Sequence, residues 1–127
     1  MITGTGIDMT EVDRIRRTIE RFGRRFIERV FTAGEIAYVE RRGAAGRYQR
    51  YAARFAAKEA GMKAIGTGWR RGVRWRDFEV VNLPSGRPTL RFHGAAARFA
   101  EQLAMRGVAL SITHTGTHAL AWVIVES

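Results

Sequence analysis

One long helix limits, more than any other feature, what this chain can fold into. Between about Tyr48 and Ile65 the residues are almost all helix formers, and Gly66-Thr67-Gly68 follows directly. Because glycine adopts the left-handed backbone conformation that ends helices, we predict that this helix stops near Ile65. Gly61 is its one irregular residue and indicates either close packing or a weak point. We expect the rest of the chain to be organised around it.

This helix carries the carboxylate of Glu59, and a second carboxylate, Asp8, lies near the N-terminus. Glu59 shares a helix face with Lys63, four residues later. Asp8 ends an alternating run that predicts a strand, with the small residues Gly4 and Gly6 on one face. Two acids on separate rigid elements can hold Mg²⁺, which takes its other oxygen ligands from water and substrate phosphates. The alternatives are an ordinary exposed Glu59–Lys63 pair and a turn or cap role for Asp8.

The composition sets broad limits on the kind of protein. The length of 127 residues predicts a single domain, residues 1–127, and the hydrophobic share of 46% is typical of a globular protein. Cysteine is absent, which excludes disulfides, thiolate metal sites and a cysteine nucleophile. The N-terminus lacks a signal-peptide pattern and no apolar run reaches the ~18 residues of a membrane span, so we expect a cytoplasmic protein.

The net charge predicts an anionic partner. Lys and Arg number 22 against 12 Asp and Glu, which gives a net charge of +10. Nucleic acid, an anionic membrane surface, a phosphorylated ligand and an acidic protein all fit this charge. Arg makes up nearly all of the excess, and its planar fork suits phosphate and carboxylate groups.

The first predicted helix has a basic face. Thr10 is a candidate N-cap for it. Its apolar row consists of Val12, Ile15, Ile19 and Phe22. Its opposite face consists of Arg14, Arg17 and Arg21, and Arg24 and Arg25 continue the basic run past Gly23. Such a face is either solvated or a docking surface for an acidic partner.

The remaining segments predict an α+β fold with helices packed on one face of a mostly antiparallel sheet. Thr32 and Glu35 form a capping-box pattern that begins a short helix reaching about Arg41. Two strand-like runs, 78–83 and 89–93, flank a Pro- and Gly-containing turn and predict a hairpin. Other predicted segments are an apolar turn over 26–31, a loop over 42–50, a helix over 95–106, and strands over 108–113 and 119–125.

Two further features are open to more than one interpretation. Between Trp69 and Asp77, Trp69 and Trp75 alternate with four arginines, as they would on a surface that binds single-stranded nucleic acid. His114 ends a predicted strand, where a histidine is more often a hydrogen-bonded turn residue than a catalytic base.

Taken in order, these segments resemble the holo-acyl-carrier-protein synthases, which are small bacterial 4'-phosphopantetheinyl transferases. The motifs that carry the resemblance are Gly6-Ile7-Asp8, Arg14, Arg29-Val30-Phe31-Thr32 with Glu35, Ala53 to Ala60, Lys63-Ala64, Gly66-Thr67-Gly68 and Ser111 to Thr115. The resemblance implies Mg²⁺-dependent transfer of 4'-phosphopantetheine from coenzyme A to a serine of acyl carrier protein, a step that serves fatty acid biosynthesis. Adenosine 3',5'-bisphosphate is the implied second product. The resemblance also implies a homotrimer with active sites between neighbouring subunits, and no nucleic-acid or membrane partner.

The resemblance assigns roles to residues by position. Asp8 and Glu59 match the metal-binding acids, and with Lys63, which matches a contact to the coenzyme A phosphates, they form the implied catalytic set. Other implied coenzyme contacts are Arg54, Gly66, Gly68 and His114. The implied contacts to the acidic carrier protein are Arg14, Arg21 and Arg24. Proton removal from the serine falls either to Glu59 or to a metal-bound water.

The chain departs from the family pattern at Gly61 and in the Gly- and Arg-rich loop from Arg42 to Arg50, whose role is not predicted. The sequence also does not predict which carrier protein is served, or whether acylated coenzyme A is accepted. Two other classes remain as alternatives. A basic module that binds single-stranded nucleic acid would bind plain DNA with steep salt dependence. A non-catalytic scaffold for acidic proteins would show no Mg²⁺-dependent turnover.

Overall fold

The computed structural model describes residues 1–127, which form five strands and five helices. The strands are β1 (Ile2–Glu11), β2 (Phe78–Asn82), β3 (Pro88–Phe92), β4 (Gly107–His114) and β5 (His118–Glu126). The helices are α1 (Val12–Phe22), α2 (Arg24–Val30), α3 (Ala33–Arg41), α4 (Arg47–Ala64) and α5 (Gly94–Gln102). A 3₁₀ turn over Trp75–Asp77 leads into β2.

The strands form two antiparallel sheets. One sheet has three strands in the order β1-β5-β4, and the other is the β2-β3 hairpin. This arrangement confirms the predicted α+β class and the predicted hairpin. None of the helices combines the length and the apolar character that a membrane crossing requires.

Helix α4 is the central element, as its sequence predicts. It is 18 residues long, and all but two of its residues from Tyr51 onward are buried. Its end is also as predicted, because the Gly66 amide donates to the Lys63 carbonyl over 3.1 Å and Gly66 has a φ of +79°. Gly61 reflects close packing rather than a weak point, since a Cβ there would lie 3.0 Å from Leu90 and 3.1 Å from Phe78.

Two apolar clusters meet at α4. One joins its C-terminal half to the inner face of the three-stranded sheet and to the β2-β3 hairpin. The other joins its N-terminal half to α1, α2 and α3. Ile112 and Trp75 pack against both clusters.

Strand β1 lies unusually close to α4 because its inward positions are glycines. A Cβ on Gly6 would lie 2.0 Å from the Ala60 carbonyl oxygen, and a Cβ on Gly4 would lie 2.0 Å from that of Ala64. Real Cβ atoms do not approach a backbone oxygen so closely. The small residues on one strand face therefore allow direct contact between β1 and α4.

The start of α1 differs from the prediction. Thr10 is not its N-cap: it lies in β1, is 2% exposed, and its hydroxyl makes no hydrogen bond within the chain. β1 continues to Glu11, which pairs with His118 of β5, so the helix begins only at Val12. Asp8 accordingly lies inside the strand and not at its end.

The basic run and the apolar row of α1 also end earlier than predicted. Gly23 has a φ of +59° and separates α1 from α2, so Arg24 belongs to another helix. Phe22 is 50% exposed and does not complete the apolar row. Residues 26–31, predicted as an apolar turn, lie mostly within α2, which ends at Val30.

Two further boundaries test local sequence signals. The capping box is confirmed, because Thr32 Oγ1 accepts from the Glu35 amide over 3.2 Å and Glu35 Oε1 accepts from the Thr32 amide over 2.9 Å. The predicted helix over 95–106 ends at Gln102, because Ala104 adopts a φ of +53° and the Met105 amide turns back to the Ala100 carbonyl.

Candidate active site

The close packing of β1 on α4 brings the two predicted acids together. Asp8 lies on the same strand face as Gly6, and its carboxyl group is within hydrogen-bond reach of the Glu59 carboxyl group. Lys63, one helical turn after Glu59, donates to Asp8 Oδ1 over 3.0 Å and to the Ile7 carbonyl over 3.0 Å. Lys63 therefore pairs across the interface with β1 and forms no salt bridge with Glu59 on its own helix.

The environment of Glu59 opposes its ionisation. Partial burial and the neighbouring Asp8 raise the pKa of Glu59 from 4.5 to about 7, although Arg14 and Lys63 act in the opposite direction. Two carboxylates in contact repel each other unless a proton or a cation lies between them. Near neutral pH this pair is therefore suited to receive a cation.

The donor set fits Mg²⁺. Two carboxylates on separate rigid elements supply hard oxygen ligands, and Mg²⁺ commonly uses one or two such groups together with water and substrate phosphates. No third acid or histidine joins Asp8 and Glu59 in a larger cluster. We assign these two residues as the candidate metal ligands on that chemistry.

The glycines after α4 lie at the Lys63 end of the helix. Gly66 and Gly68 have φ values of +79° and +54°, and nothing lies within 4 Å of the place where either Cβ would be. The backbone amides of Thr67 and Gly68 both turn back to the Met62 carbonyl. The prediction that these glycines let the chain approach a ligand is compatible with that open surface.

Arg54 and His114 do not join the acid pair within one chain. Arg54 precedes Glu59 by five residues, which places the two side chains about 140° apart around α4. It is 5% exposed, stacks over Tyr38 and donates to Asn82 Oδ1 over 3.2 Å. His114 lies on β4, with β5 between it and β1, and it lies level with Thr10, two residues past Asp8, so its Cα is about 12 Å from that of Asp8. The predicted coenzyme contacts therefore fall into separate groups.

A buried ion pair joins α4 to α3 and to β2, and it is not among the contacts predicted from the sequence. Lys58 and Glu35 are both fully buried, with Lys58 Nζ 2.7 Å from Glu35 Oε1. Lys58 also donates to the carbonyls of Trp75 and Phe78, and Glu35 Oε2 accepts from the Val80 amide over 2.9 Å. Burial lowers the pKa of Lys58, whereas Glu35 acts to raise it. The capping box signalled Glu35, but no local signal connects it to a residue 23 positions away.

The predicted docking arginines differ in their availability. Arg14 and Arg21 on α1 are exposed, and neither forms a salt bridge within the chain. Arg24 on α2 pairs with Glu28 over 2.9 Å. Arg14 is also close enough to act on Glu59 electrostatically. The unpaired charge on α1 therefore extends toward the acid pair.

The segment from Trp69 to Asp77 offers less aromatic surface than its sequence suggests. Trp75 is partly buried and stacks on Phe55 with ring centroids 4.7 Å apart. Trp69 is 60% exposed. One exposed tryptophan remains where a stacking surface for single-stranded nucleic acid would need several aromatic rings.

Comparison with known proteins gives a consistent result. Residues 4–123 match the model of the 4'-phosphopantetheinyl transferase superfamily. The chain is 65% identical to the holo-[acyl-carrier-protein] synthase of Solibacter usitatus, with 100% of both chains covered. Its fold is similar to the crystal structure of the holo-[acyl-carrier-protein] synthase from Neisseria meningitidis, with a TM-score of 0.89, 33% identity and 100% of both chains covered. It is also similar to the Bacillus anthracis enzyme in complex with CoA (3',5'-ADP), with a TM-score of 0.81, 35% identity and coverage of 100% and 98%. These matches show that the chain belongs to the 4'-phosphopantetheinyl transferase superfamily.

Proposed function

We propose that this chain is a holo-acyl-carrier-protein synthase that transfers 4'-phosphopantetheine from coenzyme A to a serine of apo-acyl carrier protein. The observation that carries the proposal is the contact of Asp8 with Glu59, with Lys63 beside them, in a member of this superfamily. The relative from Solibacter usitatus, 65% identical along its whole length, has the same activity in its name.

Each residue of the acid site has a role in the proposed transfer. The serine hydroxyl gives its proton to Glu59 or to a water as its oxygen forms a bond to the β-phosphorus of coenzyme A. The bond from that phosphorus to the bridging oxygen breaks, and adenosine 3',5'-bisphosphate leaves with that oxygen. Asp8 and Glu59 would hold Mg²⁺, which when bound supplies positive charge to the diphosphate oxygens. Lys63, held beside Asp8 by two hydrogen bonds, adds a second positive charge at the same position.

Mass spectrometry tests the proposal directly. We expect an apo-acyl carrier protein incubated with the protein, coenzyme A and Mg²⁺ to gain the mass of phosphopantetheine, and adenosine 3',5'-bisphosphate to appear. Asp8→Ala should fold normally and lose the transfer, because one of two protein ligands is gone. Transfer at a normal rate by Asp8→Ala, or in the presence of a metal chelator, would contradict the assignment of the metal site.

A homotrimer is part of the proposal. On the outer sheet face Ile7, Met9 and Trp122 are 53%, 62% and 49% exposed, and Ile7 pairs with Trp122 across β1 and β5. An exposed apolar patch of this kind is typical of a subunit interface. A neighbouring copy would also supply the Arg54 and His114 groups that one chain holds apart from its acid pair.

Light scattering tests the assembly. At micromolar concentration we expect three times the 14.3 kDa mass of one chain. Trp122→Glu should shift the protein toward that single-chain mass, because a charge replaces an apolar group on the proposed interface. A wild-type protein that has the mass of one chain would contradict the trimer. The cytoplasmic location expected from the sequence stays a prediction.

A further inference from the structure

A tyrosine on α3 is enclosed by two arginine side chains. The guanidinium carbon of Arg42 is 3.6 Å from the centroid of the Tyr38 ring, and that of Arg54 is 3.8 Å from it. Both distances are close to the van der Waals contact of about 3.5 Å. Two guanidinium groups cannot share one face at that range, so they lie on opposite faces of the ring.

This stack lines a cavity of about 640 Å³. The volume lies within the range of about 300 to 1,000 Å³ that is typical of small-molecule sites. Arg41 and Asn82 also line the cavity, and neither Asp8 nor Glu59 does. The cavity is therefore a separate feature from the acid pair of the same chain.

The positive charge in this cavity is not neutralised by the chain. Neither Arg42 nor Arg54 forms a salt bridge, and Arg54 Nε is buried without a hydrogen-bond partner. Glu79, the acid that lines the cavity, accepts from Thr32 Oγ1 over 2.7 Å and interacts with His93 over 2.9 Å. A buried guanidinium with an unused N–H is costly unless a ligand provides the acceptor.

Tyr38 explains how two like charges are held side by side. The face of an aromatic ring attracts cations, so one ring between two guanidinium groups offsets part of their mutual repulsion. Arg42 is fixed further because its Nη1 donates to the Tyr38 carbonyl over 3.0 Å. Paired arginines present several N–H donors to a phosphate monoester, which carries close to two negative charges at neutral pH.

We propose that Tyr38 is a specificity-determining residue that positions Arg42 and Arg54 to bind the 3'-phosphate monoester of coenzyme A. This inference rests on the proposed function, since coenzyme A must be the substrate for the phosphate to reach the cavity. Tyr38 acts through the two arginines and does not itself touch the reacting atoms. The predicted consequence is selectivity for coenzyme A over 3'-dephospho-coenzyme A.

The test compares the two donors in transfer assays with Tyr38→Leu, Tyr38→Phe and Arg98→Leu. Tyr38→Leu keeps an apolar side chain but removes the aromatic face, so the kcat/KM ratio of coenzyme A to dephospho-coenzyme A should fall about tenfold, through KM. Tyr38→Phe keeps the face and should restore the ratio. Arg98→Leu removes an exposed charge on α5, outside the cavity, and should leave the ratio unchanged. Equal losses with both donors in Tyr38→Leu would overturn the inference.

Binding without turnover separates this inference from the proposed function. Calorimetry should show that Tyr38→Leu weakens the binding of adenosine 3',5'-bisphosphate about tenfold more than the binding of adenosine 5'-monophosphate. If the ratio of the two dissociation constants stays unchanged, the inference is overturned even if transfer occurs. Inorganic phosphate that competes as strongly as the bisphosphate would also overturn it, because the cavity would then take free phosphate. If Tyr38→Leu does not fold, Arg42→Leu, at an exposed position, should lower the same ratio, and no change there would overturn the inference.

Discussion

At the scale of single residues, two adjacent charged residues of α4 lie in opposite electrostatic environments. Glu59 contacts another acid, which raises its pKa to about 7. Its neighbour Lys58 contacts Glu35 in a fully buried pair with four further backbone partners. The two acids repel each other and so suit a site that binds a cation. The Lys58–Glu35 pair is neutral overall and hydrogen-bonded, and so suits a structural role.

Replacing Glu59 should increase the stability of the metal-free protein at high pH. Between pH 4.5, its ordinary pKa, and about 7, the folded state keeps a proton that the unfolded state has lost. Stability therefore falls as pH rises through this window. Glu59→Gln does not ionise, so its free energy of unfolding should exceed that of the wild type at pH 8 and match it at pH 4. Urea denaturation measures both free energies. If the difference between the variant and the wild type stays constant from pH 4 to pH 8, the two acids do not lie close together.

The same variant provides the control for metal binding. Mg²⁺ should raise the melting temperature of the wild type at pH 8, because the metal binds the folded state and removes the repulsion between the carboxylates. Mg²⁺ should raise the melting temperature of Glu59→Gln much less. Equal shifts in the two proteins would mean that Mg²⁺ binds elsewhere.

Breaking the buried pair should cost much more than breaking a surface pair. Lys58→Met leaves Glu35 charged and buried without its partner, so we expect a loss of about 3–5 kcal/mol in the free energy of unfolding. Arg16→Ala removes pairs with Asp13 and Glu20, where the side chains are 40–55% exposed, and should cost about 0–1 kcal/mol. Chemical denaturation measures both, and similar losses in the two variants would show that the pair adds no more than a surface contact.

At the scale of elements, the site depends on how closely β1 approaches α4. The glycines at positions 4 and 6 remove the side chains that would otherwise separate the strand from the helix. Asp8 follows on the same face and so meets Glu59 and Lys63. The strand-helix contact therefore sets the distance between the acids.

Gly6→Ala should disturb both stability and metal binding. The added Cβ would lie 2.0 Å from the Ala60 carbonyl oxygen, which forces β1 and α4 apart. We expect a loss of about 1–3 kcal/mol or more in unfolding free energy and a weaker Mg²⁺-induced rise in melting temperature. Gly116→Ala, where nothing lies within 4 Å of the added atom, is the matched control and should change neither quantity. A neutral Gly6→Ala would show that the contact is looser than described.

At the scale of the whole molecule, the net charge of +10 comes from arginines of two kinds, those paired with an acid and those left unpaired. Some arginines, such as Arg16 and Arg24, are paired with acids on their own helix. Arg14 and Arg21 have no acid within salt-bridge distance and share α1, which leads from the strand that carries Asp8. An acidic carrier protein that docks on α1 would thus bring its serine near the acid pair.

Reversing the charges of Arg14 and Arg21 to Glu should raise the KM for carrier protein about tenfold at low salt, because surface charges act mainly on the encounter rate. The KM for coenzyme A should change little, and the salt dependence of the reaction should flatten. Reversing Arg87, in the β2-β3 turn, and Arg98, on α5, both exposed, changes the net charge equally and is the control. An unaltered carrier-protein KM in the Arg14/Arg21 variant would mean that the partner docks elsewhere, for example on the arginines between Arg42 and Arg50.

The sequence by itself determined the features that depend on neighbours within a few positions. The extent of α4, the capping box of Thr32 and Glu35, and the β2-β3 hairpin were all predicted, because helix propensity, caps and turns act over short distances. The resemblance that rested on the motifs around Asp8 and Glu59 led to the correct family.

Only the tertiary structure decided which of these groups meet. Lys63 pairs with an acid 55 positions away and Lys58 with one 23 positions away, and sequence spacing does not predict such contacts. The boundary at Thr10 was wrong because strand pairing with β5 extended β1 through a residue that is locally a good cap. Packing also placed Arg54 over Tyr38 and away from Glu59, since a helix directs residues five positions apart to different sides.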